Sequence, residues 1–399
     1  MKRALIIAVL ASAIFSACNY EVESLINTQG AVARIGFIPM VTTQTSTGSG
    51  SDFTDSDKTR ATPTDIDVLR QDGFTVYAYS SDDTVDWTSS TATAALYPDW
   101  MFAQSVTWES SSYVWSYYPI TYWPQSDLLS FFAFSPFSAA HTTPVPGQTG
   151  APTLGYETPL MIENQVDLLA GTDLNRGGTA YTDINIQFRH TLSKIGFSAR
   201  LDMSPPEGST DTLRVHSLKV YFENDGNFRN KGTYSFVNNS WTIDETSAFG
   251  GGSVDLEWGD DKDFMTPITC IWAGDVVSLD EYKDDDDPTN EKLQGVKVPS
   301  PITVTSLNSG DDYLMLMPQQ YEAESMFIEV KYSTSVDASV ETTVLPIPQI
   351  LKSAGGDIIP FEVGKQYTFL LTLSTIRDIV FGGVTVGDWN DNGYFYFDF

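Results

Sequence analysis

Cysteine and histidine are scarce in this sequence. There are two cysteines, Cys18 and Cys270, and three histidines, His141, His190 and His216, among 399 residues. The histidines belong to no Ser/His/Asp arrangement and to no metal-ligand spacing, and no glycine-rich stretch has the pattern that cradles phosphate. We therefore expect a protein that is not an enzyme and that holds no metal and no cofactor.

Basic residues are also few. The chain has 22 Lys and Arg against 52 Asp and Glu, which gives a net charge of -30 at pH 7. A surface of this sign repels the phosphates of nucleic acids and of anionic membranes, so we expect no nucleic acid partner. It also repels other copies of the chain. Any self-association therefore has to use backbone pairing or apolar contacts.

Long apolar runs are absent after the first 17 residues. The run 4–13 is shorter than the roughly 20 apolar residues that span a bilayer. It follows the basic pair Lys2-Arg3 and ends in small residues before Cys18. This arrangement resembles the lipobox of bacterial lipoproteins, in which the cysteine thiol is acylated and the chain is cut just before it. The sequence predicts a signal peptide over 1–17 and lipidation of Cys18, and the alternative is an ordinary signal peptide that contains a cysteine.

The sequence does carry many β-strand signals, while helical periodicity is hard to find. Short runs rich in β-branched and aromatic residues stand between turn-rich stretches, as in β-sandwich proteins. The clearest runs cover residues 74–79, 128–134, 184–188, 218–222, 313–317, 326–332 and 367–373. The pattern predicts an all-β fold.

The chain is too long for one core of ordinary size, which indicates two domains. Residues 41–65 have the composition of a linker, and residues 173–183 form a second polar, glycine-rich stretch. We place the domain boundary at the second stretch, with 204–212 as the rival. The predicted division is a signal peptide at 1–17, an N-terminal segment at 18–60, and β-sandwich domains at 61–184 and 185–399.

Aromatic residues are dense between positions 108 and 123, where three Trp and four Tyr lie close together. Large aromatic side chains bury much area and suit β-sheets, so packing in a core is the expectation. Stacking on sugar rings through Trp115 and Trp123 is the alternative, and it would make the region a glycan-binding surface.

Two acidic stretches resemble cation sites without completing one. The sequence from Asp388 to Gly393 matches the first half of a calcium loop, but position twelve is Phe399 where the chemistry needs a bidentate Glu. Residues 283–291 are acidic with no such pattern. We predict turns at both places.

Several landmarks occur in an order that resembles the fimbrillin-like, or type V pilin, lipoproteins of Gram-negative oral and gut anaerobes. No single motif is specific, but the order covers nearly the whole chain. After Cys18 the matching segments are 31–40 (AVARIGFIPM), 58–62 (KTRAT), 74–79 (FTVYAY), 118–134 (YPITYWPQSDLLSFFAF), 188–197 (FRHTLSKIGF), 314–319 (LMLMPQ), 367–373 (YTFLLTL) and 384–389 (VTVGDW).

The resemblance implies assembly rather than catalysis. It implies two β-sandwich domains of transthyretin-like topology and a precursor that reaches the outer membrane as a lipoprotein. An arginine-specific protease then removes everything up to an Arg, including the first strand. A strand from a neighbouring subunit fills the groove that is left, so the partners are other fimbrial subunits, in a homo- or hetero-polymer that serves adhesion.

Arg60 is the residue after which we expect the cut, which would make Ala61 the new N-terminus. It follows a flexible polar linker, where a protease can draw the backbone into its site. Arg34 and Arg70 are the rivals. Arg34 lies within the expected first strand, and a cut there would leave residues 35–40 behind.

The C-terminal tail is the candidate donor strand. Its large side chains are those of Tyr394, Phe395, Tyr396, Phe397 and Phe399. A free, apolar, β-prone tail invites aggregation unless a slot receives it. Pairing within its own domain as an ordinary edge strand is the alternative, and the sequence leaves both open.

A surface-exposed glycan-binding lipoprotein of a polysaccharide-uptake system is the alternative function. Such a protein would keep its acylated Cys18, whereas a processed pilin would begin at Ala61. An adhesion ligand on a host surface is compatible with either function.

Overall fold

The structure is a computed structural model. It describes residues 33–41, 65–136, 141–143, 149–159, 164–177, 183–201, 212–222, 228–247, 256–258, 268–269, 296–297, 305–306, 313–322, 324–334, 339–351, 357–373, 379–389 and 395–398. The predicted sites at Cys18, Arg60, Ala61, Tyr394 and Phe399 lie outside these residues.

Almost all regular structure in the described residues is β-strand, so the all-β prediction is confirmed. The strands of the first half are β1 (Met40–Val41), β2 (Phe74–Ser81), β3 (Met101–Glu109), β4 (Val114–Ser116), β5 (Leu128–Ser135), β6 (His141–Thr143), β7 (Thr153–Glu157), β8 (Leu169–Gly177) and β9 (Gln187–His190). Those that follow are β10 (Ser193–Leu201), β11 (Thr212–Phe222), β12 (Lys231–Ser235), β13 (Ser240–Ile243), β14 (Leu256–Trp258), β15 (Ile268–Thr269), β16 (Val296–Lys297), β17 (Thr305–Ser306), β18 (Leu314–Leu316), β19 (Met326–Thr334), β20 (Glu341–Pro346), β21 (Lys365–Leu373), β22 (Ile379–Asp388) and β23 (Phe395–Asp398).

Two short helices also occur in the described residues, α1 (Ile66–Asp72) and α2 (Ser90–Thr93). The side chain of Asp65 caps α1 by accepting from the amides of Asp67 and Val68. Gly73 ends the helix at a φ of 67°, where a side chain would also meet the carbonyl oxygen of Val106. Seven residues make about two turns, which is too short for helical periodicity to show in the sequence.

The N-terminal sheet has the strand order β1-β9-β8-β5-β2-β3-β4. Its central strands are buried on both faces. In β2, Phe74 and Val76 belong to one core cluster, while Tyr77 and Tyr79 belong to another on the opposite side. This double burial explains why β5 reads as a nearly continuous apolar run rather than as a strict alternation.

The C-terminal half contains two sheets that enclose a core. One has the order β16-β23-β22-β21-β10-β17, with β18 also paired to β10, and the other has the order β14-β11-β19-β20, with β15 paired to β11. Phe197 and Phe369 from the first sheet share a cluster with Val220 and Ile328 from the second. Two sheets that pack face to face in this way form a sandwich. The transthyretin-like topology stays a prediction.

The two halves share a sheet and a core cluster. The four-stranded sheet β13-β12-β7-β6 pairs β7 of the first half with β12 of the second. The chain passes between the large sheets after β9, which pairs with β8, and before β10, which pairs with β21. The predicted boundary at 184/185 therefore precedes the last strand of the N-terminal sheet, and the division into independent domains stays a prediction.

Candidate functional site

Residues 33–41 are inserted into the N-terminal half as an extended segment. Ile35, Phe37 and Pro39 are buried, while Arg34, Ile38 and Met40 are exposed. This is the alternation of a strand with one apolar face. The sequence predicted a strand over 31–40, and the structure shows single bridges at Arg34 and Phe37 followed by the short strand β1. We call residues 33–41 the inserted segment.

The first part of the inserted segment pairs with residues 121–123. The amide of Ile35 donates to the carbonyl oxygen of Thr121 at 3.1 Å, and the amide of Trp123 donates to that of Ala33 at 2.9 Å. The hydroxyl of Tyr117 donates to the carbonyl oxygen of Ile35 at 2.8 Å. These bonds use only backbone groups of the segment, so they do not depend on its sequence.

The second part pairs with residues 184–188 on its other side. The amides of Ile38 and Met40 donate to the carbonyl oxygens of Ile184 and Ile186 at 2.8 and 2.9 Å. The amide of Ile184 donates to the carbonyl oxygen of Gly36 at 2.8 Å. The segment therefore bridges residues 121–123 and 184–188. If the segment left, the backbone groups that pair with it along both stretches would lose those hydrogen bonds.

The apolar face of the segment completes a core cluster. Phe37 makes edge-to-face contacts with the rings of Phe74, Tyr117 and Phe131, at centroid distances of 5.8, 5.5 and 6.2 Å. Ile35 is fully buried in the same cluster. Burying side chains of this size stabilises by about 1.5–3 kcal/mol each. The segment is thus an integral part of the folded N-terminal half.

The dense aromatic region is divided between core and surface. Trp123 is only 1% exposed and packs on Phe131, so burial contradicts its use as a glycan contact. Trp115 is half-buried against Phe74 and Trp108. The sequence missed the residues that are exposed here, since no pattern separates them from their buried neighbours. Tyr118 is 87% and Tyr122 is 50% exposed.

The two rival arginines are held in regular structure. Arg34 lies opposite Tyr122, with its guanidinium 5.4 Å from the ring centroid of Tyr117. Arg70 lies in α1, where it forms an ion pair with Asp67 at 2.8 Å and stands 4.8 Å from the ring centroid of Trp108.

The described part of the tail pairs within its own chain. β23 runs antiparallel to β22, with Phe397 opposite Val384, and also pairs with β16. The structure therefore shows the backbone of Phe395, Tyr396 and Phe397 paired within the chain, but between β22 and β16 rather than at the edge of the sheet, which was the alternative that the sequence left open. Donation to another subunit stays a prediction.

One ionisable pair is buried where the halves meet. The Nδ1 of His190 lies 2.9 Å from a carboxylate oxygen of Asp167, and its ring stacks on Trp389 at a centroid distance of 4.3 Å. Both members are buried. Sequence reasoning missed this pair because the partners stand 23 positions apart. Its contacts join the two halves.

Among the described residues, no set of three His, Cys, Asp or Glu side chains is placed to bind a metal ion. Asp388, the first residue of the calcium-like pattern, is ion-paired with Lys365 at 2.5 Å. Across the same part of the chain, no helix is both long and apolar enough to pass through a membrane.

Comparison with known proteins gives a family and a fold. Residues 59–389 match the model of the fimbrillin-like family. A crystal structure of a fimbrial protein from Bacteroides vulgatus superposes with a TM-score of 0.57 and 19% identity, over 90% of this chain and 99% of that one. A candidate cell adhesion protein from Bacteroides ovatus covers 90% of this chain and 98% of its own, at 12% identity and a TM-score of 0.45. No curated protein sequence matches the chain.

Proposed function

Because the chain belongs to the fimbrillin-like family, we propose that it is a structural subunit of a cell-surface fimbria that serves adhesion. The observation that carries this proposal is the inserted segment, a strand contributed by the extreme N-terminal part of the described chain to a core that it completes. The fimbrillin-like family and the fimbrial protein from Bacteroides vulgatus are structural rather than enzymatic.

We place the processing cut after Arg60, so that Ala61 begins the mature subunit. Proteases bind extended, accessible backbone. Arg70 is less suited to this because it lies in α1 and its guanidinium is occupied by Asp67 and Trp108. A cut after Arg34 would leave Ile35 and Phe37 attached to the rest of the chain. A cut after Arg60 removes the lipidated Cys18 and the whole inserted segment together.

Removal of the segment would leave a slot. Phe74, Phe131 and Ile184 would lose the apolar side chains that cover them, and residues 121–123 and 184–188 would lose the backbone hydrogen bonds that they make with the segment. An extended strand from another subunit can restore both by β-augmentation. Such a head-to-tail contact does not close on itself, so it propagates a filament.

The C-terminal tail is the donor that we propose. With a period of two, Phe395, Phe397 and Phe399 would all face one side of an extended strand. They could take the places of Ile35, Phe37 and Pro39, with Asp398 left on the outer face. Such a donor fits a chain whose net charge of -30 disfavours contact through charged surfaces.

The test starts from the chain without its signal peptide, treated with an arginine-specific protease. We expect a new N-terminus at Ala61, release of the N-terminal segment and growth of multimers. N-terminal sequencing detects the cut, and electron microscopy detects the multimers. Arg60→Ala should block all three, and Arg70→Ala is the matched control that should block none. Filaments formed by uncut protein would contradict the mechanism.

The lipoprotein precursor is the delivery step of the same proposal. Cys18→Ser should stop export of the chain to the outer membrane surface. The alternative function, a glycan-binding surface lipoprotein, is favoured by the exposed rings of Tyr118 and Tyr122. Surface protein that retains acylated Cys18 and binds oligosaccharide would support that alternative over the pilin.

A further inference from the structure

Residues 118–122 form an exposed edge along the inserted segment. Tyr118, Pro119, Ile120 and Tyr122 are exposed and Thr121 is partly buried, while the flanking Tyr117 and Trp123 are buried. Thr121 accepts the hydrogen bond from Ile35, so this edge borders the segment directly. We call residues 118–122 the rim.

Two side chains fix the backbone of the rim by hydrogen bonds to its carbonyl oxygens. The Nε2 of Gln104 donates to the carbonyl oxygen of Tyr118 at 2.9 Å, and the indole Nε1 of Trp100 donates to that of Tyr122 at 2.9 Å. A surface that is already ordered loses little conformational entropy when a partner binds. Tyrosine adds a large contact area for few rotatable bonds.

The rim lies in the middle of an uncharged stretch. Residues 110–126 contain no Asp, Glu, Lys or Arg, in a chain with 52 acidic residues and a net charge of -30. Two copies of so acidic a chain repel each other over most of their surfaces. They can approach where charge is missing and apolar side chains are exposed. The charge pattern therefore favours a second copy of this chain as the occupant of the rim.

We propose that the rim is the surface on which the body of the neighbouring subunit docks while its strand occupies the slot. The proposal rests on the proposed fimbrial function. A strand that replaces the inserted segment must run beside residues 121–123, which brings the subunit that donates it against the rim. Tyrosines at the centre of such contacts are among the residues that contribute most to binding.

The test compares the Tyr118→Ser/Tyr122→Ser double variant with the wild type. Both are cut by the arginine-specific protease, and the rate of multimer growth is followed by light scattering. We expect the rim variant to assemble about 10-fold more slowly, because truncation of a hot-spot tyrosine weakens an interface by at least that factor. The matched control is Val340→Ser/Val344→Ser, which removes two exposed apolar side chains from the C-terminal half and should assemble at the wild-type rate.

A second measurement separates the rim from the slot. A synthetic peptide with the sequence of residues 31–41 should bind the cut rim variant and the cut wild type with equal affinity, because the two tyrosine side chains face away from the core. Equal thermal unfolding of the uncut proteins shows that the variant folds.

Each other outcome overturns the proposal in a distinguishable way. If the wild type is cut but forms no multimers, both the proposed fimbrial function and the docking proposal are wrong. If the wild type assembles and the rim variant assembles equally fast, only the docking proposal is wrong. Loss of peptide binding in the rim variant would assign the tyrosines to the slot. Unchanged assembly with loss of binding to a glycan or host surface would make the rim an adhesive site.

Discussion

Tyr117 binds the inserted segment through a backbone carbonyl, so this contact does not depend on the side chains of the segment. Its single hydroxyl proton lies between the carbonyl oxygens of Ile35, at 2.8 Å from the hydroxyl oxygen, and of Thr121, at 3.1 Å, so the side chain links the inserted segment to residues 121–123 beside it. Its ring packs against Phe37. Any strand in the slot would present a carbonyl at the same place. Under the proposed function, Tyr117 would therefore serve both the segment and its replacement.

We predict that Tyr117→Phe lowers the free energy of unfolding of the uncut chain by about 1–2 kcal/mol, because a buried carbonyl loses its donor. Burial raises the pKa of the Tyr117 hydroxyl above its ordinary value of 10.0. The hydroxyl is therefore a neutral donor in the folded state, and its contribution should be constant below about pH 10 and should fall as the pH rises further. Urea unfolding of both proteins across this range measures the difference. A difference that grows as the pH falls from 9 to 6 would contradict this assignment.

At the scale of elements, β1 and β23 are short strands with different roles in the same proposal. The inserted segment carries two side chains into a core cluster and bridges two parts of the backbone. β23 pairs over four residues with β22. Alternating apolar residues predict that both form strands. They do not say which pairing each makes, because pairing is decided by residues distant in sequence.

We predict that deletion of residues 394–399 gives a folded subunit that is cut normally and stays monomeric. The deletion removes β23 and no other strand, so β22 and β21 should keep their pairing. Size-exclusion chromatography after protease treatment measures the result. The cut, truncated protein should still bind a synthetic peptide of residues 393–399, which shows that its slot is intact. Filaments formed by the truncated protein would remove the tail from the mechanism.

At the scale of the whole molecule, the two halves are joined by more than one contact. β7 and β12 share a sheet, and His190 at the end of β9 pairs with Asp167 and stacks on Trp389 of the C-terminal half. From these contacts we expect the two halves to unfold together.

We predict that His190→Ala destabilises the chain by about 2–4 kcal/mol, since it takes the imidazole from a buried carboxylate and leaves a cavity beside Trp389. It should also separate one thermal transition into two, as the halves uncouple. Differential scanning calorimetry measures both effects. The control is Lys231→Ala, which removes an exposed ion pair between β12 and β7 and should cost less than about 1 kcal/mol. Equal effects of the two substitutions would show that His190 does not couple the halves.

The sequence by itself determined the fold class, the family and the main strands, because β-propensity, alternation and landmark order are local properties. It also predicted that residues 31–40 have one apolar face. Only the tertiary structure decided where that face is buried and that Trp123 belongs to the core while Tyr118 and Tyr122 are exposed. It also decided that His190 meets Asp167. The physical reason is that burial and pairing depend on which strands become neighbours, and β-sheets bring together residues that are far apart along the chain.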